Sequence, residues 1–269
     1  MKISIPPQTL LLALGLAIPC FVAAQTVVPG GMISTHTHWT LAGSPYLVQS
    51  NLYVYGDALP QLILDPGVEL RFSPGASLII SAEGGDWDGF RGSLLAQGTT
   101  QAPIVLTADN GQTGGWGGLV FNASCDWNGN YSLLDHVLIE KAVTNLTVRD
   151  SSQPALMTDL ELRLASQFGC QLVGSSTQVS LDNVDIHHNG LSPLLLNGAP
   201  LPALGSVSVH DHADNRAQYT GSISQDMTLD LPNWPLGLLF AGWITVGGYA
   251  HPRLTLPAGS ELRFAAGAR

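Results

Sequence analysis

The strongest constraint on this chain is a short period in its middle. "LLDHVLIEKA" from Leu133, "ALMTDLELRLA" from Ala155 and "VSLDNVDIHHN" from Val179 place Val137, Leu160 and Val184 in one column. Ile139, Leu162 and Ile186 form another, and the steps are 23 and 24 residues. Each segment is followed by a second short apolar run, in which Leu146, Cys170 and Leu194 recur at steps of 24. Val148, Leu172 and Leu196 lie two residues beyond them. Alternation of apolar and polar residues describes strands with one buried face. Two such strands per period, with turns between, describe an all-β solenoid of parallel coils, a β-helix. A single coil cannot cover its own apolar face, so the columns must stack.

A longer repeat overlies the short one. "LILDPGVELRFSPGA" at 62–76 matches "LTLPAGSELRFAAGA" at 254–268 without a gap, a shift of 192 residues. Pro60, Gly56 and Val54 meet Pro252, Gly248 and Val246 in the same register. Further upstream, "GMISTHTHWTL" from Gly31 resembles "GSISQDMTL" from Gly221 with a small insertion. The expected organisation is a signal peptide at 1–24, a β-helix unit at 25–197, a connecting segment at 198–220, and the truncated start of a second unit at 221–269. Residues from 221 onward are expected to pack poorly or to lean on the first unit.

The signal peptide is read from Lys2, the apolar run "LLLALGLAI" and the small residues of "FVAAQ". Cys20 follows Pro19, which suits a lipoprotein cleavage site poorly, so soluble export is expected. No later stretch is long and apolar enough for a membrane helix. Beyond residue 24 the chain carries nine basic and twenty acidic residues, a formal charge of −11. That sign excludes the basic footprint of a nucleic-acid or anionic-membrane partner. With 11% charged residues, 30 Gly and 17 Pro, the composition suits short strands joined by turns. Export would permit a disulfide between Cys125 and Cys170. The columns put Cys170 in the core and Cys125 near a polar loop, which weighs against one.

The rest of the first unit adds strand-like pieces, among them "LYVY", "VELRF", "SLIIS" and "PIVLTA". "GQTGGWGGLVF" at 111–121 reads as a glycine-rich bend with Trp116 packed at the coil, not as a phosphate cradle, which would have to open a helix. "ISTHTHWTLAGSPY", "LILDPGVELRF", "GSLLAQGTTQAPIVLT" and "GWGGLVF" together resemble a broad family of exported bacterial right-handed parallel β-helix proteins, pectin-lyase-like in fold. The resemblance runs from Gly31 to about Asn197. It implies a right-handed helix and a repeat or surface protein. It says little about activity, because the same fold carries both adhesin-like proteins and polysaccharide lyases or hydrolases.

Three polar clusters are candidates for chemistry. In "DNVDIHHN" at 182–189, Asp182, Asp185, His187 and His188 could bind a metal or act on a sugar acid. Asp185 and His187 share one strand face because the side-chain period is two. They are the catalytic candidates, and the plainer reading is a solvated outer face. "HDH" at 210–212 offers His210 and His212 as metal ligands at i and i+2, and "THTH" at 35–38 offers His36 and His38. Either site needs further ligands from elsewhere, so ordinary turn polarity is the plainer reading. Glu140 and Glu161 near Lys141 and Arg163 read as surface charge balance. Asn122, Asn130 and Asn145 open glycosylation triplets that matter only on a eukaryotic route.

The expected function is a non-catalytic secreted or cell-surface β-helix that is structural, adhesive or carbohydrate-binding. Its partners would be polysaccharide or cell-surface components, and no cofactor is called for. The alternative is a polysaccharide lyase or glycoside hydrolase acting on acidic polysaccharide, with calcium under the lyase reading alone.

Overall fold

A computed structural model describes residues 25–82, 91–122, 131–151 and 156–269. The signal-peptide segment, Cys125 and Asn130 lie outside the described residues. Every strand pairing among the described residues is parallel, and the coils stack as a right-handed β-helix of about nine turns.

Each coil visits three faces. Gln61–Leu64, Glu69–Phe72 and Ser77–Ile80 occupy the first, second and third in turn. In the middle coils one long strand covers the first two faces: Leu133–Glu140, Leu156–Arg163 and Ser180–His187. These long strands merge the first and second faces into a twelve-stranded sheet, and the third face is a ten-stranded sheet. The expected columns are the observed register. Val137 pairs with Leu160 and Leu160 with Val184. Leu146 pairs with Cys170 and Cys170 with Leu194.

The corners explain a break in the alternation. Leu134 and Val137 are both buried although they are three residues apart, as are Met157 with Leu160 and Leu181 with Val184. The residue between the two halves of each long strand, His136, Asp159 or Asn183, has φ of 52°, 53° and 52°. His, Asp and Asn enter this left-handed region more readily than most non-glycine residues. One left-handed residue turns the corner and resets which side chains face inward. A second left-handed column, Lys141, Leu164, His188 and Asp211, ends the second face.

The interior is apolar and layered. Trp116 is fully buried, stacks on Phe72 at 4.2 Å, and donates its Nε1–H to the Glu140 carbonyl at 2.8 Å. Its neighbour Gly118 has φ of 116°, and a Cβ there would lie 1.9 Å from the Thr144 carbonyl oxygen. The glycine-rich stretch is therefore the expected bend with Trp116 packed inside.

The segment 198–220, expected as a connector, is itself a coil. Ala203–Leu204 and Val207–His210 pair with Ser180–His187, and Ala217–Ile223 pairs with Ser192–Asn197. Its Gly, Pro, His and Asp content suggests a loop. Strands of two, four and seven residues form there because the coil below supplies a ready ladder of backbone partners.

The 192-residue repeat is a repeat of pairings. Leu47 with Arg71 and Val48 with Phe72 become Leu239 with Arg263 and Phe240 with Phe264. Even the ion pair within the strand recurs, Arg71–Glu69 at 2.7 Å and Arg263–Glu261 at 3.0 Å. Ala217–Tyr219 pairs with Leu238–Phe240 as Thr26–Val28 pairs with Tyr46–Val48. Yet Thr26–Val28 belongs to the twelve-stranded sheet and Ala217–Ile223 to the ten-stranded one. The second unit thus starts one face further round the coil. Each face presents the same parallel ladder, so backbone bonding permits the shift. Residues from 217 onward lean on the first unit, with Tyr219, Met227, Leu238 and Phe240 entering its core.

Candidate functional site

The second face carries two outward columns. One runs Glu69, Val105, Leu138, Glu161, Asp185 and Ser208. The other includes Glu140, Arg163, His187 and His210, paired in that order. Stacked coils lie about 4.8 Å apart, so ionic side chains meet across rungs. Arg163 Nε donates to Glu140 Oε2 at 2.8 Å, and its Nη1 donates to Glu161 Oε1 at 2.6 Å. Glu140 also binds Lys141 at 2.9 Å and accepts from Thr107 Oγ1 at 2.9 Å. Glu140 is buried, which raises its pKa. The bonds from Lys141, Arg163 and Thr107 together outweigh this and hold it below the usual value. This pair of columns is more than surface charge balance, because it ties coil to coil.

At the upper end of the ladder the histidines converge. His187 is the most enclosed, with 13% of its side chain exposed, and its Nε2 lies 3.1 Å from Glu161 Oε1. The His210 ring stacks on it with centroids 4.9 Å apart and planes within 6°. His188, on the left-handed corner, brings its Nδ1 to 2.7 Å from His187 Nδ1. Asp185 Oδ1 is enclosed and faces His210 Nε2 at 3.2 Å, while Asp185 Oδ2 is 3.9 Å from His187 Nε2. Asp211 Oδ2 lies 2.6 Å from His210 Nδ1 and 3.8 Å from His188 Nε2. The hydrogen bond to Asp211 raises the His210 pKa, and the same bond lowers that of Asp211. The catalytic candidates Asp185 and His187 are thus adjacent, on one face, as the period of two requires.

The proposed ligand pair His210 and His212 is not brought together. Asp211 has φ of 58° and turns the chain between them. His212 points at the coil below, where its Nδ1 accepts from the Asn189 backbone N–H at 3.2 Å. Its Nε2 meets the Ile186 carbonyl at 2.9 Å, so the proton sits on Nε2. Burial lowers its pKa. It extends an interior asparagine ladder, in which Asn189 Nδ2 donates to the Leu162 carbonyl at 3.1 Å and Asn145 Nδ2 to the Arg163 carbonyl at 2.9 Å. Position rather than residue type identifies this role, since His212 follows Asn189 by 23 residues.

Beside the cluster lies an open groove of about 580 Å³ along the corner between the first two faces. His136, Asp159, Glu161, Asn183 and Asp185 contribute to its lining. Asn183 donates to Asp159, which lowers the Asp159 pKa. His136 Nδ1 lies 2.6 Å from Asp135 Oδ1, and its Nε2 is 3.1 Å from Thr100 Oγ1. The sequence reading missed His136 and Asp159. Their signal was the aligned position just before Val137 and Leu160.

The remaining candidates have structural roles. Asp182 Oδ1 accepts from the Ser206 N–H at 3.0 Å. His38 pairs with Asp65 at 2.6 Å, and His36 is exposed in the preceding turn. Asn122 and Asn145 are buried, which removes them as glycan acceptors. Cys170 is buried with its thiol free, and burial pushes its pKa up to about 12. Among the described residues no helix is long and apolar enough to cross a membrane. No family model, curated protein or solved structure matches the chain.

Proposed function

We propose that this chain is an exported β-helix that binds an extended, neutral polysaccharide along its corner groove without cleaving it. The groove itself carries the reading. It crosses successive coils, so a polymer laid along it meets the same kind of polar group at each rung. Its ionisable lining is Asp159, Glu161 and Asp185 against His136. Carboxylates accept hydrogen bonds from sugar hydroxyls, whereas a polyanion would meet like charge. Arg163, the guanidinium beside this lining, is held by Glu140 and Glu161. Burial lowers its pKa, but those carboxylates outweigh it and keep it protonated, which disfavours the role of base in a lyase. The apolar leader at 1–24 supports export, and the pectin-lyase-like resemblance supports a glycan ligand.

Affinity electrophoresis against neutral and acidic polymers, with product assays alongside, tests this reading. Neutral glycan is expected to retard the protein, and Asp159→Asn is expected to weaken the retardation. Failure to bind any polymer would overturn the proposal. Release of unsaturated products or reducing ends would replace it with a lyase or hydrolase.

A further inference from the structure

We propose that His187, His188 and His210 form a binding site for a divalent transition-metal ion such as Zn²⁺. One nitrogen from each of the three lies within 4.8 Å of the others. Three imidazoles suit Zn²⁺, Ni²⁺ or Cu²⁺ and not Ca²⁺ or Mg²⁺, which take oxygen ligands. The three histidines lie outside the groove lining, although Glu161 and Asp185 border both, and the proposal rests on the histidines and not on glycan binding.

The surrounding carboxylates give the cluster the architecture of a metal centre. Metal-bound histidines characteristically donate their other ring N–H to a carboxylate, which fixes the tautomer and aims the free nitrogen. His187 Nε2 lies 3.1 Å from Glu161 Oε1 and His210 Nε2 lies 3.2 Å from Asp185 Oδ1, while His210 Nδ1 is bonded to Asp211 Oδ2 at 2.6 Å, a proton-mediated contact that a bound cation would displace. With the His187 proton on Nε2, its Nδ1 lone pair points at His188 Nδ1, 2.7 Å away. Without a metal, a proton on His188 Nδ1 must bridge that gap. A bound cation takes the proton's place, and His188 carries its proton on Nε2 instead, where Asp211 Oδ2 stands 3.8 Å away. Asp211 also supplies an anionic oxygen as a candidate fourth ligand, and catalytic-type sites keep a further position for water.

The positions of the three rings are set by the fold. His187 and His210 are register partners on adjacent coils, and His188 occupies the left-handed corner between faces. The site is therefore built on the ladder and does not depend on a loop closing.

Equilibrium dialysis of the untagged protein against Zn²⁺, and the visible spectrum with Co²⁺, test the proposal. One tight equivalent of Zn²⁺ is expected, along with cobalt bands typical of low coordination number and no competition from Ca²⁺. His188→Asn keeps a residue that tolerates the corner and is expected to abolish both signals. His38→Asn and His251→Asn are expected to leave them intact. Glu161→Gln is expected to weaken Zn²⁺ binding about 10- to 100-fold. Zn²⁺ is expected to raise the melting temperature of the wild type and not that of His188→Asn, a readout that also reports whether the variant folds. Absence of a stoichiometric ion in the wild type, or its retention in a folded His188→Asn, His210→Asn double variant, would overturn the assignment.

Discussion

The imidazole of His212 and the amide of Asn189 occupy equivalent places on successive coils and bind equivalent carbonyls, those of Ile186 and Leu162. Ile186 and Leu162 are themselves register partners. Histidine here does the work of a ladder asparagine.

His212→Ala is therefore expected to destabilise the protein by about 1–3 kcal/mol, because it strips partners from the Asn189 N–H and the Ile186 carbonyl. His212→Asn is expected to recover most of that loss. Urea denaturation of the two variants measures the difference. Equal stability of His212→Ala and wild type would contradict the structural role.

The Glu140 rung predicts acid sensitivity. Its folded pKa lies below its unfolded value of 4.5, so its contribution is fully present above that value. It is lost as pH falls from there through the folded pKa. Glu140→Gln is expected to cost about 1–3 kcal/mol at neutral pH and to flatten the stability profile below about pH 4.5. Parallel profiles for variant and wild type would remove Glu140 as the source of that slope.

Cys170 is expected to resist thiol reagents while the coil is folded, because a buried thiol with its pKa near 12 presents almost no thiolate. A Cys20→Ser, Cys125→Ser background isolates it. Labelling should be complete in denaturant and negligible without it. Rapid labelling of the native protein would show that the third face opens at Cys170.

Much of the architecture is legible in the sequence alone. The columns through Leu160 and Cys170 follow from a near-constant step, and a constant step is what stacked coils of equal girth produce. The repeat "ELRF" anticipated a repeat of pairings down to the Glu–Arg ion pair. His187, His188 and His210 were each visible as candidates, but in two separate clusters. The 23-residue register that joins His187 to His210 is hidden in the sequence, because the Gly- and Pro-rich segment after Asn197 reads as a linker.

His212 shows the opposite limit. Spacing at i and i+2 places two side chains on one face only while the backbone stays extended, and Asp211 is left-handed. The one-face shift of the second unit is likewise invisible in an alignment, since every face offers the same ladder. Periodicity in the chain specifies strands, columns and pitch, because alternation and burial are local consequences of residue order. Which coil edge receives the next strand, and which side chains gather at a corner, depends on left-handed residues and on contacts between segments distant in the chain. Those relations are settled only when the coils stack.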